Sequence, residues 1–292
     1  MSWLAGLEHC VRENESMAPR NWLRLGGAAQ YFAEPTTVSE LSELLKRTQT
    51  EGISVRLLGA GSNILVGDEG VKGVVIHLSA PAFCRIQTVD QEITAGAGLR
   101  LNHVVATAAG TGLAGLEAFV GIPSSVGGAL RTNAIGHGAA IGQWTHSVTA
   151  MSRAGETVRL ESRDLRFGYH HSNLGDLVIL DGTFELERGD TTKITRQMQK
   201  LWILRRANLP SSEVGHVQVF ANPRGLTAGE IIEQVGLKGR AIGGASISEV
   251  DANFIEVQPN TSSSDVIALI DQVRLQVSEK LGVDLQPQID VW

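Results

Sequence analysis

"LLGAGSNILVGDEG", Leu57 to Gly70, sets a glycine-rich turn directly behind an apolar run. Without Cβ atoms the chain can take positive φ and bring backbone N–H groups close to an anionic oxygen, and a pyrophosphate is the natural guest. The stretch is neither GxGxxG nor a P-loop ending in GK[ST], so on its own it reads equally well as a tight turn. Its neighbours carry more. "TTVSELSELLKRTQTEG" spaces Val38, Leu41, Leu44 and Leu45 along one helical face behind threonine caps and leads into the strand "VRLLG". "VKGVVIHLS" adds another strand, so residues 20–80 predict a small βαββ-like unit with the glycine loop at a strand end.

Working outward, "FCRIQTVD" and "EITAGAG" are short β runs, and "LRLNHVVATAAGTGL" suits a helix ending at Gly110 or Gly112. "HSVTAMSRAGETVRLES" predicts a hairpin around Ala154-Gly155, followed by a long strand in "DLVILDGTFELERGD". "KITRQMQKLWILRRANLP" is a helix stopped by Pro210. The helices "LTAGEIIEQVG" and "SSSDVIALIDQVRLQVSEKLG" then flank the extended "GASISEVDANFIEVQP". We expect an α+β protein with domains at 1–80, 81–187 and 188–292.

Composition narrows the partners. A net charge of −6 with no basic cluster argues against nucleic acid, whose binding needs a lysine and arginine surface to displace counterions. No run approaches the roughly 20 apolar residues that span a bilayer, and "MSWLAGLEHCVRENES" lacks the features of a signal peptide, so a cytoplasmic protein with no membrane partner is expected. Cys10 and Cys84 are the two cysteines, with no CxxC, HxxxH or HExxH spacing; neither a disulfide framework nor a metal is expected. A hydrolase elbow, GxSxG, is also missing.

A second loop reinforces the first. "GLEAFVGIPSSVGGALRTNAIGHGAAIG" gathers Gly121, Gly127, Gly128, Gly136, Gly138 and Gly142 with few charges and no clear amphipathic period. Long glycine-rich segments inside a compact chain tend to be functional. Two such loops in adjacent small domains predict one elongated ligand, with Gly59–Asn63 and Gly121–Gly128 converging on its cleft.

Four segments together, "LGAGSNILVGDEGVKGVVI", "GLEAFVGIPSSVGGALRTNA", "FGYHHS" and "TAGEIIEQVGLKGRAIGGASISEVDANFIEV", resemble the UDP-N-acetylenolpyruvoylglucosamine reductase family, collinearly from Trp22 to the C-terminus. The resemblance implies an FAD-binding fold of the vanillyl-alcohol-oxidase type, two small α+β flavin subdomains followed by a C-terminal α+β substrate domain. It implies FAD as cofactor, NADPH as reductant and a UDP-sugar substrate in peptidoglycan precursor synthesis. Carried over by position, Gly59, Ala60, Gly61, Ser62 and Asn63 cradle the FAD pyrophosphate. Gly121, Ile122, Pro123, Ser125, Gly127 and Asn133 line the flavin, Arg24 matches the arginine of "RxGG", and Ile141 reaches toward the adenine. Tyr169, Ser172 and Asn222 fall on substrate-binding positions. With no extra loop after "FGYHHS", the chain is similar to the shorter of the family's two subtypes.

The resemblance fails at the reacting centre. Where the family has an arginine in "YRxS", a serine in "GSxFKNP" and a glutamate near the C-terminus, this chain has His170, Gln218 and Gln288. Asp251 further replaces the histidine of "HANF". An imidazole carries a positive charge only near or below its pKa of about 6.5 and lacks a guanidinium's planar fork. A carboxamide is too weak an acid to protonate a carbanion. His170 and His171, if on a strand, face opposite ways, so one of them meets the site. Three readings stay open: the family's reaction, an FAD-binding paralogue with a regulatory or scaffold role, and a flavoenzyme with another acceptor that uses His170 or His216 as acid.

Overall fold

The computed structural model describes residues 3–211, 215–223 and 225–292. The chain divides into two compact units: Met1–Glu13, Tyr31–Ala60 and Lys72–Arg206 form one, and Asn14–Gln30, Gly61–Val71 and Ala207–Trp292 form the other.

In the first unit Thr37 caps helix α1 (Val38–Thr50), its hydroxyl accepting from the Glu40 N–H. The i, i+3, i+4 spacing of Leu41, Leu44 and Leu45 buries one stripe of that helix completely. The strand after it, Val55–Leu58, runs parallel to Val71–His77, with Val55 opposite Val74 and Leu58 opposite His77. The glycine loop starts where that strand ends.

An antiparallel five-stranded sheet makes the centre of this unit, in the order Thr157–Glu161, Thr145–Met151, Val178–Glu185, Glu92–Gly96, Ile86–Val89. Helix α2 (Leu101–Gly110) and helix α3 (Val126–Arg131) pack on it. α3 comes close because Gly182 leaves room: a Cβ there would stand 2.6 Å from Leu130 Cδ1. Helix α4 (Thr191–Ala207) ends the unit.

The second unit is an antiparallel sheet, Gly215–Gln218, Phe254–Val257, Ala245–Ile247, Ala241–Ile242, with helix α5 (Ala228–Gln234) and helix α6 (Ser263–Leu281). Both helices open on a capping box, Thr227 with Glu230 and Ser262 with Asp265. Val217, Ile231, Ile255, Val266, Leu269 and Val273 fill its core.

Three local features differ from the sequence expectation. The glycine-rich segment after Phe119 contains α3 and a small hairpin, Ile135–Gly136 with Ala139–Ala140. Six helical residues are too few to display a period. His170 and His171 do not share a strand: Gly168 pairs with His171, so Tyr169 and His170 form the two-residue turn between them. Val11–Ser16 is a strand of charged sequence, paired at a sheet edge, that no alternation announced. No helix among the described residues is long and apolar enough to cross a membrane.

Candidate flavin and substrate sites

From Gly59 to Asn63, five consecutive backbone N–H groups have no hydrogen-bond acceptor among the described residues. Protein amides left unpaired in series create a concavity with partial positive charge, suited to an anion. The loop is nevertheless fixed through its other atoms. The Gly61 carbonyl accepts from Trp22 N at 2.9 Å, the Asn63 carbonyl from Asp290 N at 3.0 Å, and Asn63 Nδ2 donates to the Gln288 carbonyl at 2.9 Å. Gly61, at φ +68°, packs against the Arg20 carbonyl so closely that a Cβ has no space. Arg24 is exposed and itself in the left-handed region, at φ +57°.

The second loop meets the first at one point within the first unit. A Cβ on Gly59 would stand 2.7 Å from Ser125 Oγ, and that hydroxyl caps α3 by accepting from Gly128 N at 3.1 Å. Gly127 lies equally close to the sheet, its would-be Cβ 3.0 Å from Ala97 Cβ. Ile122 is buried and Pro123 half-buried, while the Gly121 N–H is held by Asn102 Oδ1 at 2.8 Å.

Asn133 and Ile141 are placed differently from the rest of the predicted set. Asn133 is buried, its Nδ2 donating to the Gly168 carbonyl at 2.7 Å and its Oδ1 accepting from Gly142 N at 3.0 Å. That carboxamide is spent on holding the turn that carries His170. Ile141 is wholly buried in the core, with its N–H bonded to the Ala134 carbonyl and its own carbonyl accepting from Thr145 Oγ1. It presents no surface to a ligand.

Arg205 of α4 tests whether the loop fits an anionic cofactor. Its side chain lies over Gly121, Cδ being 3.1 Å from where a Cβ would stand, and its Nε is buried without a partner among the described residues. Burial pushes this guanidinium's pKa down. An unpaired buried cation is costly unless something negative meets it. The unpartnered amides of the first loop fit an anionic group, and so does the unpartnered Nε of Arg205 over Gly121.

At the substrate segment, His170 is half-buried at φ +52°, its ring edge-on to Tyr169 with centroids 4.4 Å apart. Burial pushes the imidazole pKa down, so it is neutral at neutral pH. Tyr169 is exposed, whereas Ser172 is buried and donates its hydroxyl hydrogen to the Arg131 carbonyl at 2.7 Å.

In the second unit the chain segments that carry the two glutamines run side by side. Gln218 ends its strand and is exposed; Gln288 N donates to the carbonyl of the next residue, Val219, at 2.7 Å, and Ala221 N to the Gln286 carbonyl at 2.9 Å. Asn253 fixes this crossing, its side chain accepting from Phe220 N at 2.8 Å and donating to the Phe220 carbonyl at 2.9 Å. Asp251 in turn accepts from Asn253 N at 2.9 Å. His216, two residues before Gln218 on the same strand face, is buried edge-on between Trp22 and Phe254. Asn222 Oδ1 accepts from Ala228 N at 2.9 Å and so opens α5. Asn253 did not stand out as a site residue in the sequence, because a clamp of this kind is a property of packing.

Residues 29–161 match the family model described as FAD binding domain, within the α+β fold described above. Residues 209–292 match the model for the C-terminal domain of UDP-N-acetylenolpyruvoylglucosamine reductase. The reductase of that name from Rhodopirellula baltica is 36% identical over 286 residues, covering 98% of this chain and 94% of that one. The one from Heliobacterium modesticaldum is 38% identical over 282 residues, covering 96% and 90%. The crystal structure of the Thermus caldophilus reductase superimposes with a TM-score of 0.83 at 31% identity, over 97% of this chain and 99% of that one. The chain belongs to the UDP-N-acetylenolpyruvoylglucosamine reductase family.

Proposed function

We propose that this protein is a cytoplasmic flavoenzyme that uses NADPH to reduce the enolpyruvyl ether of a UDP-sugar, a step of peptidoglycan precursor synthesis. The observation that carries the reading is the run of unpaired amides from Gly59 to Asn63, met at Gly59 by Ser125 of the second glycine loop. In this assignment residues 1–80 and 81–187 are the two flavin subdomains and 188–292 the substrate domain.

FAD, when bound, supplies the hydride that the enolpyruvyl double bond receives. The amides of Gly59 to Asn63 hold the pyrophosphate, Arg205 answers negative charge beside Gly121, and Gly121 to Gly127 with Ser125 shape the flavin wall. Tyr169 orients the nucleotide-sugar at the tip of its turn. Ser172 and Asn222 act through the backbone they hold. Hydride addition leaves negative charge beside the substrate carboxylate, which asks for hydrogen-bond donors and a proton. His170, neutral, donates a hydrogen bond in place of a guanidinium's charge. Gln218 and Gln288 offer carboxamide N–H groups, so the proton comes from water that these amides position.

A second reading rests on one observation: none of His170, Gln218 and Gln288 presents an acid or a cation at neutral pH. On that reading the protein keeps FAD and has left the reduction. Anaerobic flavin spectroscopy separates the two. Bleaching by NADPH followed by recovery on adding UDP-N-acetylglucosamine enolpyruvate is the expected outcome, and bleached flavin that stays bleached establishes the second reading. In that event, His170→Arg, Gln218→Ser and Gln288→Glu combined should restore the cycle.

A further inference from the structure

Away from the glycine loops, the N-terminal segment and the start of α1 bring together three side chains that the proposed reaction does not use. His9 and Cys10 end the turn Glu8–Cys10, and Glu40 lies in the first turn of α1. His9 Nε2 is 3.2 Å from Glu40 Oε1, and the ligand atoms of His9, Cys10 and Glu40 all lie within 4.8 Å of one another. All three belong to the first unit.

The surroundings hold these atoms in place. Glu40 Oε2 accepts from Thr36 N at 2.7 Å and from Thr36 Oγ1 at 2.9 Å, which leaves Oε1 turned to His9. Cys10 is anchored on both sides of its backbone, its N–H to the Leu7 carbonyl at 3.1 Å and its carbonyl to Glu34 N at 2.8 Å. Outer hydrogen bonds of this kind orient ligands and are part of how protein metal sites are built. Cys10 is 6% exposed and His9 is exposed, so the thiol forms the floor of the cluster and the imidazole its open rim.

We propose that His9, Cys10 and Glu40 bind a divalent cation of the zinc class, with water in the fourth position. One thiolate, one imidazole and one carboxylate suit a borderline-soft ion that accepts four ligands, whereas magnesium and calcium take oxygen alone. Ion binding displaces the thiol proton, which Sγ now directs at the Leu7 carbonyl 3.2 Å away, and the proton shared between His9 and Glu40. The site ties the N-terminal turn to α1 and is independent of the flavin reaction.

The test uses the full-length protein, freed of metal by chelator and then titrated with Zn²⁺ by calorimetry and with Co²⁺ by visible spectroscopy. One Zn²⁺ per chain is expected, and His9→Ala should weaken it by about tenfold or more, as losing one ligand of so small a set requires. Because His9 is exposed, that variant leaves the core untouched. Co²⁺ should give a four-coordinate spectrum that changes in Cys10→Ala, a variant accepted only if its far-ultraviolet circular dichroism matches the parent. Equal Zn²⁺ affinity in parent and His9→Ala, or a Co²⁺ spectrum indifferent to Cys10→Ala, would overturn the site and leave a His9–Glu40 ion pair beside a buried thiol. Neither readout involves turnover, so failure here says nothing about the flavin reaction.

Discussion

Arg205 is a cation packed against a glycine, its Nε shut off from water and from any partner among the described residues. Such a group weakens the protein that carries it and strengthens the complex that answers it. Arg205→Met keeps the length and removes the charge. We therefore expect flavin-free Arg205→Met to unfold at a denaturant concentration equal to or above the parent's, while its FAD dissociation constant rises by at least about tenfold, the 1.4 kcal/mol of one modest charged contact. Reduced stability with unchanged FAD affinity would assign Arg205 to packing. Residue roles of this sort were the least legible part of the sequence. Position alone named Asn133 and Ile141 as flavin contacts, yet Asn133 spends its carboxamide on Gly168 and Gly142, and Ile141 lies in the core. The replaced residues His170, Gln218 and Gln288 were legible because a change of chemical type at a motif position needs no coordinates. What burial then does to His170 was not.

Among the elements, those with a long period and a cap could be read directly. α1 shows Thr37 and its buried stripe, and α5 and α6 show their Thr227–Glu230 and Ser262–Asp265 boxes. α3 could not be read, because six residues with two glycines have neither period nor propensity, and the helix exists through Ser125 at its cap and the closeness of Ala97 and Gly182. That dependence makes the junction between the two loops fragile. The Ser125 hydroxyl is fixed by Gly128 and cannot retreat from a side chain on Gly59 without giving up the cap. Gly59→Val should cost about 1–3 kcal/mol of stability by overpacking and lower FAD affinity further than Arg205→Met does. Gly175→Ala, at a glycine with open space around its would-be Cβ, serves as the control and should change neither. Guanidinium denaturation and flavin fluorescence titration read the two effects separately. An FAD affinity untouched by Gly59→Val would place the pyrophosphate elsewhere.

For the molecule as a whole, a cofactor that binds the native state and ignores the unfolded one raises stability by RT ln(1 + [L]/Kd), about 2.7 kcal/mol at a hundredfold excess over Kd. In a chain of this size each kcal/mol moves the melting temperature by about 2–4 °C, so saturating FAD should raise it by roughly 5–10 °C. The source of that rise can be traced. If the unpaired amides of Gly59 to Asn63 are the anion site, most of the gain depends on the pyrophosphate and not on the isoalloxazine ring. Riboflavin at the same concentration should then leave the melting temperature close to that of the flavin-free protein, FMN should shift it by a fraction of the FAD effect, and added inorganic pyrophosphate should erode the FAD effect by competition. Riboflavin stabilising as well as FAD would locate the binding energy in the flavin wall around Gly121 to Gly127 and demote the glycine loop to the tight turn that its sequence alone equally allows.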